Sequence, residues 1–274
     1  MNYEGTDDLL VALEEGRLSI TLDRPDSGNA LTPQQRDRLI DILSRADGDV
    51  NVRVVTLSAT GRHFCTGADL RVEHPDLDQP DGDSSQRRSG GVLRTIQSGA
   101  QRLMATLLDL HKPVVAGVNG TAAGIGVHLA LSCDFVVMAE EASFIESFVN
   151  IGIAPDGGGA YLLPRFVGLQ RAKELVLLGD RLSAHEARQI GLVNRVVPAA
   201  DVADTVSELA ARLASGPTVA IGMAKRLLNR SLDVDRSTAF LEEAAIQEIV
   251  TGSLDSTEGI AAFVERRPAA FRGW

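Results

Sequence analysis

Two glycine-punctuated stretches carry the first chemical signal in this chain. GRHFCTGADL spans residues 61–70, and NGTAAGIGVHLAL spans residues 119–131 and leads into an apolar helix. Glycine lets the backbone take unusual dihedral angles and approach a ligand closely. The N–H groups at a helix start lack intrahelical acceptors and carry partial positive charge. Two such loops at the ends of neighbouring strands could aim two donors at one carbonyl oxygen and hold an enolate or a tetrahedral oxyanion. Losing one donor of that kind costs about 100- to 1000-fold in rate. The same spacing also suits two ordinary strand-to-helix turns. His128 stands on the first turn of the second helix, where the helix dipole disfavours positive charge. It could donate a hydrogen bond to a substrate, act as an acid–base group, or simply pack. His63 precedes the first glycine loop, and His74, His111 and His185 read as surface residues. No two histidines have ligand spacing with a carboxylate partner, so no metal is expected.

The elements that would position these loops follow from pattern. Residues 9–13 and 17–23 read as strands joined by a turn at Gly16. Residues 33–46 read as a helix with Thr32 as N-cap and Pro33 at its first position. Residues 53–58, 113–119 and 134–139 are strand-like, residues 92–109 return to helical spacing, and residues 124–131 form a short helix. Residues 71–91 contain HPDLDQPDGDSSQRRSGG, a long polar loop of the kind that often serves as a lid. Strand and helix alternate to about Val197, which favours an α/β fold with mainly parallel pairing. From Asp201 onward the chain reads as successive amphipathic helices, so the division expected is a core over 1–200 and a helical region over 201–274. Helices that cannot all cover the core suggest subunit contacts.

Composition narrows the partners. The 274 residues are 44% hydrophobic and 23% charged, ordinary for a globular protein with a sizeable core. A net charge of −10 argues against nucleic acid, whose phosphates need clustered Lys and Arg. The acidic start MNYEGTDDLL has no secretory signal pattern, and no apolar run reaches membrane-spanning length. Cys65 and Cys133 suggest packing rather than a disulfide framework. A cytoplasmic protein is expected.

SGNAL at 27–31, FCTGADL at 64–70, NGTAAGIG at 119–126 and IGIAPDGGG at 151–159 resemble the crotonase (enoyl-CoA hydratase/isomerase) superfamily. So do GLVNRVV at 191–197 and GIAAFVERRPAAF at 259–271. The match is in order and covers nearly the whole chain. The resemblance implies an α/β fold: a spiral of ββα units with a helical C-terminal region that trimerises, often as a dimer of trimers. It implies an acyl-CoA thioester as ligand, with coenzyme A part of the substrate and no separate cofactor. It also implies oxyanion donors at the backbone N–H groups of Ala68 and Ile125, where Ile125 replaces the middle glycine of a common three-glycine run.

The same resemblance identifies what is missing. Two glutamates position and activate water in the hydratases of the family; here those positions hold His128 and Phe148. Hydration needs a base for water and an acid for the α-carbon, and phenylalanine supplies neither. Asp156 aligns with an aspartate that several isomerases of the family use, and a single base suffices to move a proton between two carbons. In an apolar pocket its pKa would rise; alternatively Asp156 is the N-cap of a helix over 157–166. Glu146, two residues from Phe148, would share a strand face with it and reach the same cavity, or else end a strand at the surface. Arg24, Arg62 and, from a neighbouring subunit, Arg266 are candidate phosphate contacts. His63, Asp69, Gly124, Glu146 and Phe148 complete the candidate substrate contacts. The expected reaction is double-bond isomerisation with Asp156 as base. Hydration using His128 with Asp156 or Glu146, acyl-CoA binding without turnover, and hydrolase or dehalogenase chemistry are the alternatives.

Overall fold

The computed structural model describes residues 3–72 and 90–274. Most of the polar loop over 71–91, with His74, lies outside the described residues. Among them, ten strands run in chain order: β1 (Leu9–Glu14), β2 (Arg17–Leu22), β3 (Val54–Ala59), β4 (His63–Cys65), β5 (Val114–Val118), β6 (Thr121–Ala123), β7 (Phe135–Ala139), β8 (Ser143–Ile145), β9 (Arg181–Ser183) and β10 (Arg195–Val197). The helices are α1 (Pro33–Gly48), α2 (Gly91–Ile96), α3 (Arg102–Asp109), α4 (Ile125–Leu131), α5 (Gly159–Leu178), α6 (Ala184–Gln189), α7 (Val202–Ala214), α8 (Thr218–Arg230), α9 (Arg236–Thr251) and α10 (Leu254–Glu265). A π-helical turn, Gln97–Gln101, joins α2 to α3. No described helix is long and apolar enough to cross a membrane.

The longer strands build one sheet in the order β1-β2-β3-β5-β7-β10, and the short ones a second in the order β4-β6-β8-β9. Pairing is parallel except for β1 with β2 and β8 with β9. The pattern repeats: β3 then β4, β5 then β6, and β7 then β8 each place one strand in each sheet before the chain turns into a helix. That is the expected spiral of ββα units. VVAGV in β5 is buried at every position, as befits a parallel strand covered on both faces.

Local chemistry explains the boundaries. Thr32 Oγ1 accepts from the Gln35 N–H at 3.1 Å and Pro33 occupies the first turn, so α1 starts where expected. The first turn of α4 abuts the end of β4 so closely that a Cβ at Gly126 would lie 2.1 Å from the Cys65 carbonyl oxygen. That contact brings the two glycine loops together. Beyond β10, α7 buries Val202, Val206, Leu209 and Ala210 against the large sheet. Lys225 of α8, itself buried, bonds the Leu107 carbonyl at 2.8 Å and Asp134 at 2.8 Å, tying that helix to the core.

Candidate active site

Both glycine loops line one cleft of about 570 Å³, together with the start of α1, the α2 and π-helical wall, and residues 147–156. A hollow of similar volume on the outer face of α5 is formed by Gln170, Lys173, Leu177 and their neighbours. It lies open to solvent and contains no residue of either loop.

The backbone donors of the cleft are set by register. Leu31 forms a parallel bridge with Ala68. The Leu31 N–H bonds the Gly67 carbonyl at 2.8 Å and the Asp69 N–H bonds the Leu31 carbonyl at 2.9 Å. Successive peptide groups in extended backbone face opposite sides, so the Ala68 N–H points away from Leu31, and Ala68 lines the cleft. Ile125 is the first residue of α4, and its N–H has no intrahelical acceptor. Gly124 precedes it at φ 52°, ψ −125°, a conformation suited to glycine. Neither N–H bonds another described residue.

Asp156 is the one carboxylate among the described residues that line the cleft. Its Oδ1 is buried without a hydrogen-bond partner. Loss of solvent pushes its pKa above the usual carboxylate value, and the His128 charge pulls part of the way back. It is not an N-cap: α5 starts at Gly159 with Gly158 as its cap, because Gly158 at φ 96° turns the chain two residues later.

His128 and Glu146 are not cleft residues, which corrects the expectation that either meets substrate directly. His128 is fully buried. Its Nε2 lies 3.1 Å from Glu146 Oε2, and its ring stacks on Phe148 with centroids 5.2 Å apart. Phe148 and Ile125 occupy the cleft wall and hide the imidazole behind them. The glycines of DGGG form its seat. A Cβ at Gly159 would lie 2.1 Å from His128 Nε2, and one at Gly157 2.9 Å from Nδ1. Glu146 was expected to share a strand face with Phe148, but β8 ends at Ile145 and the chain turns into a 3-10 helix beginning at Val149; both side chains meet the His128 ring, yet only Phe148 lines the cleft.

The remaining candidates lie apart from the cleft lining. Asp69 is buried and engages Arg24 at 3.0 Å and Arg71 at 3.0 Å. The Arg71 and Arg24 hydrogen bonds hold its pKa down at about 2. Arg24 also donates to the Ala30 carbonyl at 2.6 Å, so this pair locks the first loop rather than facing the ligand. His63 is half-buried, and burial together with the Arg62 and Arg181 charges lowers its pKa. Arg62 is exposed. Arg266 is exposed and ends α10 at φ 55°. Polar cleft residues that were not anticipated include Arg36 and Thr95, on helical segments, and Thr66 and Ser147, on the loops. Arg36 and Thr95 read from sequence as ordinary polar positions of helices.

Residues 13–273 match the model of the family described as enoyl-CoA hydratase/isomerase. The chain is 35% identical over 265 residues to the 1,2-epoxyphenylacetyl-CoA isomerase of Escherichia coli (strain K12), covering 97% of this chain and 98% of the relative. It is 32% identical over 266 residues to the 2,3-dehydroadipyl-CoA hydratase of the same strain, covering 97% and 99%. An enoyl-CoA hydratase structure from Bacillus anthracis is similar with a TM-score of 0.86 at 32% identity, covering 97% of this chain and 100% of that one. Relatives thus include both isomerases and hydratases. By motif order, fold and family match, this chain belongs to the enoyl-CoA hydratase/isomerase family, within the crotonase superfamily.

Proposed function

We propose that the protein moves the double bond of an enoyl-CoA through a thioester enolate, with Asp156 as its single acid–base group. The observation that carries this reading is Asp156, the one carboxylate among the described cleft residues, whose Oδ1 is buried without a partner. In a 3-enoyl thioester, the Asp156 carboxylate takes a proton from C2. The electrons move onto the thioester oxygen, where the Ala68 and Ile125 N–H groups stabilise the developing charge. The protonated Asp156 returns the proton to C4 as the oxyanion collapses, leaving the double bond between C2 and C3. Burial suits the carboxyl to this exchange because it brings its pKa closer to neutrality.

Hydration would require a second group on water, and the positions where the resemblance places the hydratase glutamates hold His128, behind the wall, and Phe148. His128 acts on Asp156 at one remove, by supporting the glycine run beside it and by its charge. A homo-oligomer fits the exposed apolar side chains of the C-terminal helices, including Phe240, Leu241, Ile249, Ile260 and Phe263. Incubation with 2-enoyl- and 3-enoyl-CoA thioesters in deuterated water tests the reaction. The expected product carries a shifted double bond and deuterium at C2 or C4, and Asp156→Asn abolishes both. A 3-hydroxyacyl product would overturn the isomerase reading.

A further inference from the structure

Arg36 is a cation that the one-base reaction does not use. It lies just inside α1 and lines the cleft, yet its side chain is only 13% exposed. Its charged contact among the described residues is Asp37, reached at 3.0 Å from Nε and 2.9 Å from Nη2, both to the single oxygen Oδ1. Asp37 is itself 62% exposed, so water screens the pair heavily. Nη1 bonds no described residue. The guanidinium therefore keeps hydrogen-bond donors free for an acceptor placed in the cleft.

The neighbouring wall is shaped around this group. A Cβ at Gly99, in the π-helical turn, would sit 2.3 Å from Arg36 Nη1, so the tip of the guanidinium fills the space that a side chain would take. Four residues earlier Thr95 lines the same cleft, and its Oγ1 is buried without a partner. The residues around them on this wall, Val92, Ile96 and Ala100, are apolar. A polar pair set among aliphatic groups suits a hydrocarbon chain that ends in an anionic oxygen group.

We propose that Arg36 and Thr95 form a subsite for a carboxylate at the far end of the acyl chain, making CoA monothioesters of dicarboxylic acids the favoured ligands. A guanidinium fork matches carboxylate geometry, and the threonine hydroxyl adds a donor. A CoA phosphate offers similar anionic chemistry, and the test separates the two. The inference rests on the acyl-CoA reading of the cleft but not on the isomerase step.

Equilibrium binding of three probes decides it: a saturated six-carbon acyl-CoA, the same thioester with a terminal carboxylate, and free CoA. The wild-type protein is expected to bind the carboxylate-bearing thioester about tenfold or more tightly than the plain one, as a charge-assisted hydrogen bond would provide. Arg36→Gln should erase that preference while plain acyl-CoA and CoA stay within about threefold, again on the scale of such a bond. Gly99→Ala, which displaces the guanidinium but keeps its charge, should reduce the preference too and guards against a folding defect in Arg36→Gln. Equal binding of both thioesters by the wild type, or equal weakening of all three probes in Arg36→Gln, would overturn the proposal. Loss of the double-bond shift with this preference intact would remove only the isomerase reading.

Discussion

His128 Nε2 and Glu146 Oε2 stand 3.1 Å apart, with side-chain exposures of 0% and 4%. The pair lies behind Phe148 and beneath the glycines that lead into α5. Removing Glu146 leaves a fully buried imidazole nitrogen without its partner. Glu146→Ala is therefore expected to lose about 3 kcal/mol of stability or more, the scale on which breaking a buried pair acts. Glu146→Gln, which keeps an oxygen acceptor, should lose less. Urea unfolding of both variants checks this, and a Glu146→Ala curve that overlays the wild type would show that the pair supports nothing.

Asp156 should govern both rate and pH response. Asp156→Asn is expected to lower turnover by about 100-fold or more while acyl-CoA affinity stays near wild type. The base works deprotonated and burial raises its pKa, so activity should climb with pH along a limb lying above the ordinary aspartate range. The His128 charge lowers that pKa, so His128→Asn should move the limb to higher pH. A limb unmoved by His128→Asn would uncouple the two residues.

The same shift has a consequence for stability. A carboxyl whose folded pKa is raised binds its proton more tightly in the folded state, so its favourable contribution is complete below the unfolded pKa and is lost as pH rises through the folded one. Asp156→Asn should therefore unfold at a higher temperature than wild type near pH 7, with the gap narrowing as pH falls. Asp69 behaves in the opposite sense. Its carboxyl is held at about 2 by Arg71 and Arg24, so its contribution is present above the unfolded aspartate value and is lost as pH falls toward about 2. Asp69→Asn should flatten the acid side of the stability profile over that window.

The seat of the imidazole gives a double-variant test. Gly159→Ala places a Cβ 2.1 Å from His128 Nε2, and no flexible chain end is there to yield. The single variant should be severely destabilised, by roughly the 1–3 kcal/mol or more of an overpacked core. In a His128→Ala background the space is free and most of that cost should vanish. Unfolding midpoints of the four proteins measure the coupling, and additive effects would refute the seat.

The sequence made the alternating strands and the two glycine loops legible because glycine spacing and β-branched runs act locally. The positions of Ala68, Ile125, Gly124, Phe148 and Asp156 on one cleft followed the motifs. The place of His128 was not legible, since what hides its ring is the bulk of Ile125 and Phe148 and the absence of side chains at Gly157 and Gly159, about thirty residues away. DGGG reads as a turn, and only tertiary packing turns it into a socket. Glu146 is hidden for the same reason: its carboxylate turns to the buried His128 ring rather than to the cleft. Arg36 and Thr95 left no local signal: which face of a helix meets a cleft is decided by its neighbours.

The π-helical turn at Gln97–Gln101 also sets the rotational phase of the wall. It accommodates one residue more than a regular helix would over the same rise. One residue corresponds to about 100° of rotation about the axis. Excising a single residue from this turn would let α2 and α3 fuse into one regular helix. Leu103 and Leu107 would stay anchored in the core, and α2 would swing by that angle. Thr95 and Ile96 would leave the cleft together, so a deletion of one amino acid would rewrite the acyl-facing surface while the sheets and the two glycine loops kept their places.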